Sequence, residues 1–406
     1  MNRLQGRKLK LGLVFLSFQV GIIISFTLIS APAIYDNQIV GPYLSWSNDN
    51  GIYNLTSTSV TISWRTSSAS NGFVEYGKTK DSLTRIDVVG TTIQHNVTLD
   101  GLIPNTSYLY RVGQGAISSS FHAFKTFPLV PVSVNFCLWS DTQPPGSEYT
   151  RVFSRMRERN PDFLVQSGDL VSTGGSMSQW EAFLDTITPL VSEIAFMPVS
   201  GNHEYYGELS NEPENFREVM ALPGSESTYA FLVGDILFVG LNTREGSIWS
   251  GGHAVDPTEL QWANQTLSQY YDEVKWIILY CHYPPFSSNS AANPVKDDII
   301  PLAQRYDVDA VFTGHIHNYE RFNVPNEGTG STTNISYFVM GGGGGHLSSV
   351  RDESAQYSEV YNSQHHYLNA MINDSTFNIE CWNLENEIID AWTMEPKNRT
   401  DLSSYW

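Results

Sequence analysis

Short apolar runs recur along most of this chain, and the spacing between them changes once, near Pro128. Before that point the runs alternate with polar residues. Val60-Thr61-Ile62-Ser63-Trp64 is apolar at every second position and rich in β-formers. Gly72–Gly77 follows a serine-rich turn, and Leu102–Tyr110 repeats the alternation. Short strands at regular spacing predict an all-β sandwich over residues 34-127. Pro128 and Pro131 mark a linker.

Beyond the linker, strands alternate with helices. Val132–Trp139, Phe163–Gln166 and Phe196–Ser200 read as buried strands, with helices over Tyr149–Arg159 and Met177–Pro189 between them. Tyr229–Asn242 reads as a hairpin turning at Gly234-Asp235. An amphipathic helix over Pro257–Tyr271, a strand over Trp276–Tyr280, a helix over Asp297–Tyr306 and a strand over Ala310–Phe312 follow. The last third reads as antiparallel strands, Ile335–Met340, His366–Ile372, Phe377–Trp382 and Glu387–Met394. Helices flanking sheets of mixed strand order predict a layered α-β-β-α sandwich of two mixed sheets over residues 131-396. There is no internal repeat, and Gly341–Gly345 is the one low-complexity run. It lacks a following Lys-Ser/Thr, so it is not a phosphate-cradling loop; close backbone packing beneath a site is the better reading.

Composition adds an address and removes some partners. Hydrophobic residues make up 41% of the chain and aromatics 13%, enough for a sizeable core. A net charge of −19 argues against nucleic acid or an anionic lipid surface as partner. At the N-terminus Arg3, Arg7, Lys8 and Lys10 precede an uncharged run from Leu11 to Ala33, so residues 1-33 read as a signal peptide or an N-terminal membrane anchor. Either places the bulk of the chain in the secreted or surface-anchored class, and an uncleaved segment would be its one contact with a membrane. Asn54, Asn96, Asn105, Asn264, Asn334, Asn373 and Asn398 all begin N-x-S/T, as a glycoprotein would. Of three cysteines, Cys137 and Cys281 lie in strand-like runs and read as buried thiols, and no Cys-x-x-Cys pair occurs.

The chemistry stands just past the strands. Phe136–Trp139 leads into Ser140-Asp141-Thr142-Gln143, and Phe163–Gln166 into Ser167-Gly168-Asp169-Leu170. Phe196–Val199 leads into Ser200-Gly201-Asn202-His203-Glu204, Ile277–Cys281 into His282-Tyr283-Pro284, and Ala310–Phe312 into Thr313-Gly314-His315-Ile316-His317. Gly314 lets the chain turn sharply there, and the H-x-H spacing points both rings the same way. One such strand end is noise. Five in one domain are not, because ligands belong in the loops at the strand ends of α/β sheets. Asp, Asn and His together suit Fe, Zn or Mn, and there are enough of them for two ions.

The set D…GD…GNHE…H…GHxHxYER resembles the metallophosphoesterase (calcineurin-like) superfamily, and Glu320-Arg321 after Tyr319 makes it most similar to the purple acid phosphatases. The resemblance covers about residues 41–395. It includes the upstream module, whose Leu102–Tyr110 segment resembles a fibronectin type III strand with Tyr108 as corner tyrosine. The resemblance implies that Asp141 and His317 bind a first metal, that Asp169 bridges, and that Asn202, His282 and His315 bind a second. The pair would be Fe with Zn or Mn. His203 would face the substrate phosphate and protonate the leaving oxygen while a metal-activated hydroxide attacks phosphorus. Arg321 is either a substrate contact or an ion-pair partner of Glu320 or another carboxylate; Tyr319 is packing.

Two departures stand out. Ser172 occupies the place of the purple enzymes' metal-bound tyrosine, and Gln143 that of the wider superfamily's D-x-H histidine, where it is a weak metal ligand. No histidine lies between His282 and His315, where purple acid phosphatases place substrate-binding ones. The first metal is therefore expected to bind less tightly than the second. The implied function is hydrolysis of small-molecule or protein phosphomonoesters. The alternatives are a phosphodiesterase or nucleotide pyrophosphatase on the same core, or a surface binding protein with an inert phosphatase domain.

Overall fold

The computed structural model describes residues 39–48, 50–54, 56–143, 146–210, 212–243, 255–289, 295–328 and 333–399. The apolar N-terminal segment 1-33 lies outside them. Among the described residues two mixed sheets face each other. The first has nine strands, in the order Ile388–Met394, Phe377–Asn383, His366–Asn373, Ser133–Trp139, Phe163–Ser167, Ala195–Val199, Ile39–Ser45, Val60–Ser70 and Thr92–Leu99. The second has eight: Ser358–Asn362, Tyr319–Pro325, Asn334–Met340, Ala310–Thr313, Trp276–Cys281, Ile236–Leu241, Tyr229–Val233 and Ile52–Tyr53. Aromatic rings from both sheets fill the space between them. Phe136 and Phe163 of the first meet Phe238 of the second edge-on, with centroids 5.2 and 5.3 Å apart. Each such ring, wholly buried, contributes roughly 1.5–3 kcal/mol.

Helices cover the outer faces. Val152, Phe153 and Met156 of Glu148–Glu158 and Trp180, Phe183, Leu184 and Ile187 of Met177–Val191 are buried in the larger core, with the first sheet. Ala263 and Leu267 of Pro257–Tyr270 and Ile299, Leu302 and Ala303 of Lys296–Arg305 join a second core with the outer residues of the second sheet. The expected α-β-β-α layering is what forms. The central strands are parallel, Ser133–Trp139 with Phe163–Ser167 with Ala195–Val199, and Ile236–Leu241 with Trp276–Cys281 with Ala310–Thr313. Both faces of these strands are covered, which is why their sequences are continuous apolar runs. Parallel register also sends all their C-terminal ends to one edge of the layers.

The upstream module is a sandwich, as expected, but one of its sheets is the first sheet itself. Ile39–Ser45 pairs in parallel with the Ala195–Val199 strand through Leu44 and Ala195, and antiparallel with Val60–Ser70. A separate five-stranded sheet (Gly72–Thr79, Ser82–Asp87, Ser107–Gln114, Ile117–Ser118 and His122–Lys125) packs on these strands through Ile62, Trp64, Val74, Tyr110 and Val112. The Leu102–Tyr110 run forms strand only from Ser107, because Asn105 takes a left-handed φ of 51°. Tyr108 Oη accepts the Ile103 amide at 2.9 Å, the bond a corner tyrosine makes. The strands Ile39–Ser45, Thr92–Leu99 and Tyr319–Pro325 are additions to the sequence reading. Cys137, Cys281 and Cys381 are buried and free.

Candidate metal centre

Asp141, Asp169, Asn202, His203, His282, His315 and His317 all come from loops at the C-terminal ends of the parallel strands. Asp141, Asp169 and His315 hold φ values of 61°, 60° and 67°, a region that residues with a Cβ seldom enter. Gln143, at 40°, is a fourth, and such strain concentrated in one cluster is a mark of candidate functional sites. Gly314 has another reason than the turn expected of it. A Cβ there would lie 1.9 Å from Ser140 Oγ and 2.5 Å from Asp141 Oδ2, so glycine supplies room while His315 makes the left-handed step. The glycine run does pack beneath the site: the amides of Gly343 and Gly345 donate to the carbonyls of Ser140 and Asp141 at 3.0 and 2.8 Å.

The ligand atoms face one another. His282 is wholly buried, and its Nδ1 donates to the Ser167 carbonyl at 2.8 Å. That bond directs Nε2 at two acceptors, Asn202 Oδ1 at 3.0 Å and Asp169 Oδ2 at 3.4 Å. Asn202 is oriented by its own amide, which donates to Tyr206 Oη at 3.0 Å, and His315 Nδ1 stands 3.0 Å from Asn202 Oδ1. On the other side His317 Nδ1 donates to the His346 carbonyl at 2.6 Å, leaving Nε2 3.2 Å from Asp141 Oδ1. That carboxylate oxygen is buried and, among the described residues, has no other partner than this imidazole. Ligand atoms of Asp141, Asp169 and His282 lie within 4.8 Å of one another.

Such an arrangement of acceptors demands positive charge between them. Protons are one source. Burial works against charge on His282 and His317, yet the carboxylates of Asp169 and Asp141 raise both to about 9. Burial likewise opposes charge on Asp169, but His282 and His203 hold its carboxyl well below the usual range. Burial and the neighbouring His282 push His315 down to about 4. A cation is the other source, and the oxygen and imidazole donors suit a transition metal.

His203 stands beside this cluster. Its backbone amide donates to Asp169 Oδ1 at 2.9 Å, and its Nδ1 donates to the Ser172 carbonyl at 2.8 Å. Nε2 is 3.8 Å from Asp169 Oδ2, and about a quarter of the side chain is exposed. Gln143 donates its side-chain amide to Asp169 Oδ2 at 2.7 Å. Arg321 is spent elsewhere: its guanidinium pairs with Asp390 at 2.6 Å and with Glu359, and lies over the Trp392 ring. It does not pair with Glu320, because consecutive strand residues face opposite ways. Glu320 instead accepts from the Ser288 amide and hydroxyl, both at 3.0 Å. Tyr319 is buried packing whose hydroxyl donates to Asp390.

Sequence reasoning passed over Glu204 and Tyr206. Glu204 is buried, and its carboxylate accepts backbone amides from Asp169, Leu170, Val171 and Gly201. The available signal was an acid in the glycine-containing loop Gly201-Asn202-His203-Glu204.

Residues 135–319 match the family model of calcineurin-like phosphoesterases, and residues 43–126 match that of the purple acid phosphatase N-terminal domain. Purple acid phosphatase 23 of Arabidopsis thaliana is 28% identical over 299 residues, covering 62% of this chain and 62% of its own length. Probable inactive purple acid phosphatase 27 of the same plant is 26% identical, covering 65% of this chain and 51% of itself. The chain thus spans less than two thirds of these relatives. The structure of purple acid phosphatase PPD1 from yellow lupin (Lupinus luteus) seeds shares the fold, with a TM-score of 0.72 at 20% identity over 88% of this chain and 74% of that one.

Proposed function

We propose that this chain, a calcineurin-like phosphoesterase domain behind a purple acid phosphatase N-terminal domain, is a two-metal hydrolase of phosphate monoesters. The observation that carries the reading is the set of buried ligand atoms turned toward one another, with Asp141 Oδ1 met only by the His317 imidazole. Asp169, Asn202, His282 and His315 would hold one ion. Asp141, Asp169 and His317 would hold the other. Gln143 gives its N–H to Asp169, so the second set has one protein donor fewer, and its ion is the more weakly held. When bound, such ions neutralise charge on phosphoryl oxygens and lower the pKa of water.

The chain's own part is positioning and proton transfer. The Ser172 carbonyl fixes His203 Nδ1 as the donor toward the backbone, which leaves Nε2 to face the reacting phosphate. As a water oxygen bonds to phosphorus and the ester P–O bond breaks, His203 in its imidazolium form gives the Nε2 proton to the leaving oxygen. It is left neutral, its Nδ1–H still on Ser172. An address outside the cytoplasmic membrane is supported by the sequons. Asn54, Asn96, Asn105, Asn334 and Asn398 are exposed, and Asn264 and Asn373 half-buried. No helix among the described residues is long and apolar enough to cross a membrane.

Metal analysis paired with turnover tests the proposal. The protein reconstituted with Fe, Zn or Mn is expected to bind two ions and to hydrolyse p-nitrophenyl phosphate faster than its bis ester. Asn202→Ala is expected to abolish that turnover. A faster bis ester would favour a phosphodiesterase, and failure to bind or respond to any of these metals would favour an inert binding protein.

A further inference from the structure

We propose that Tyr206 is the specificity-determining wall for the leaving group, and that it selects phosphate monoesters whose leaving group is a flat aromatic ring. The inference rests on the reading of this site as a phosphatase. Tyr206 follows the short 3-10 turn His203–Tyr205, and its ring centroid lies 4.6 Å from that of His203 at an interplanar angle of 52°. The leaving oxygen takes its proton from His203, so the group attached to that oxygen must lie against the same imidazole. The next surface it meets is the Tyr206 ring. Tyr206 is 37% exposed, whereas Tyr205 is only 4% exposed.

The ring is fixed before any substrate arrives. Its hydroxyl accepts the Asn202 amide at 3.0 Å. Its backbone carbonyl accepts the Gly175 amide at 2.9 Å, and its backbone amide donates to the His203 carbonyl at 3.2 Å. A ring held in place loses little freedom when a second ring packs on it, so its contact energy appears as binding. Offset or edge-on pairing with an aryl leaving group is available to it, and an aliphatic alcohol gains much less there.

The hydroxyl has a separate task. By taking the Asn202 N–H it keeps Asn202 Oδ1 turned toward His282 and His315. The two tasks come apart on substitution. Measured against Tyr206→Phe, which lacks the same hydroxyl, Tyr206→Ala is expected to raise KM for phenyl phosphate roughly 2- to 10-fold while leaving KM for glycerol 2-phosphate nearly unchanged. Tyr206→Phe is expected to keep the aryl preference and to weaken metal binding, read by titration of the apoprotein with Zn or Mn. Tyr206→Trp restores the preference, and Leu209→Ser, a fully exposed change on the same loop, leaves both KM values where they were. Circular dichroism and a thermal midpoint confirm that each variant folds. If Tyr206→Ala differs from Tyr206→Phe equally for both substrates, the selecting wall is refuted while the phosphatase reading stands. If the metal-loaded parent hydrolyses neither substrate, both readings fall together.

Discussion

Glu204 takes no part in the proposed chemistry, yet two ligand loops depend on it. Its Oε2 accepts the amides of Asp169 at 2.8 Å and Gly201 at 2.6 Å, and its Oε1 those of Leu170 at 2.8 Å and Val171 at 3.3 Å. Burial first, then the nearby Asp169 charge, raises its pKa to about 7. A carboxylate with only acceptor lone pairs is what four converging N–H groups require. Glu204→Gln replaces one oxygen by an NH2 that opposes two of those amides. The loop bearing Asp169 then shifts relative to the loop bearing Asn202. Outer groups that orient metal ligands typically matter by 10–100-fold, so metal affinity is expected to fall about that much with the far-UV spectrum preserved. Isothermal titration with Zn or Mn checks this; an unchanged affinity would show that the loops are held by other means.

At the scale of elements, legibility followed burial. The central strands are covered on both faces, so Phe163–Ser167 and Trp276–Cys281 read plainly as apolar runs. Ile39–Ser45 did not, since Gly41-Pro42 interrupts it. Tyr319–Pro325 did not either, because it buries Glu320 and Arg321 and satisfies them through Ser288, Ser358, Asp390 and Glu359, partners far away in sequence. The candidate ligands were visible because each stands at a strand end. Glu204 and Tyr206 were not, because their roles exist only once two loops meet.

The helix Pro257–Tyr270 carries a conflict of the same non-local kind. Asp256 caps it, accepting the Thr258 amide at 2.7 Å, and Glu259 sits in the first turn, where the helix dipole favours an acid. Burial overrides that preference. Glu259 Oε2 is buried without a donor, and burial raises the carboxyl from 4.5 to about 7 although Thr228 works the other way. A folded-state pKa above the unfolded one means the folded chain holds the extra proton. Its contribution is complete below pH 4.5 and is lost as pH rises through about 7. Glu259→Gln is therefore expected to stabilise the protein at pH 8, on the order of 2 kcal/mol after allowance for partial solvent access, and to be near neutral at pH 4. Denaturant midpoints at the two pH values decide; equal shifts at both would rule out the titration as cause.

For the whole molecule, the question is whether the upstream module is a spacer or part of the folding unit. Its strands Ile39–Ser45, Val60–Ser70 and Thr92–Leu99 extend the first sheet, and Ile52–Tyr53 closes the edge of the second. Trp46 sits between Tyr53, Phe127, Phe163 and Phe231, with centroids 5.4–6.3 Å away. Polar ties run alongside: Arg65 to Glu218 at 2.8 Å, Ser45 to the Ala221 carbonyl at 2.6 Å and Tyr110 to the Ser192 carbonyl at 2.7 Å. Burying the Trp46 ring alone is worth roughly 4–6 kcal/mol at 150–250 Å² of apolar area, a large share of the 5–15 kcal/mol that typically separates folded from unfolded. A shortened chain beginning at Pro128 would also expose the unpaired edge of Ala195–Val199, a template for aggregation. The intact protein should therefore unfold in one calorimetric transition, its calorimetric and van't Hoff enthalpies agreeing, and the shortened chain should fail to give soluble, metal-binding protein. Two resolved transitions, or a shortened chain that binds metal as the parent does, would show the module to be a spacer after all.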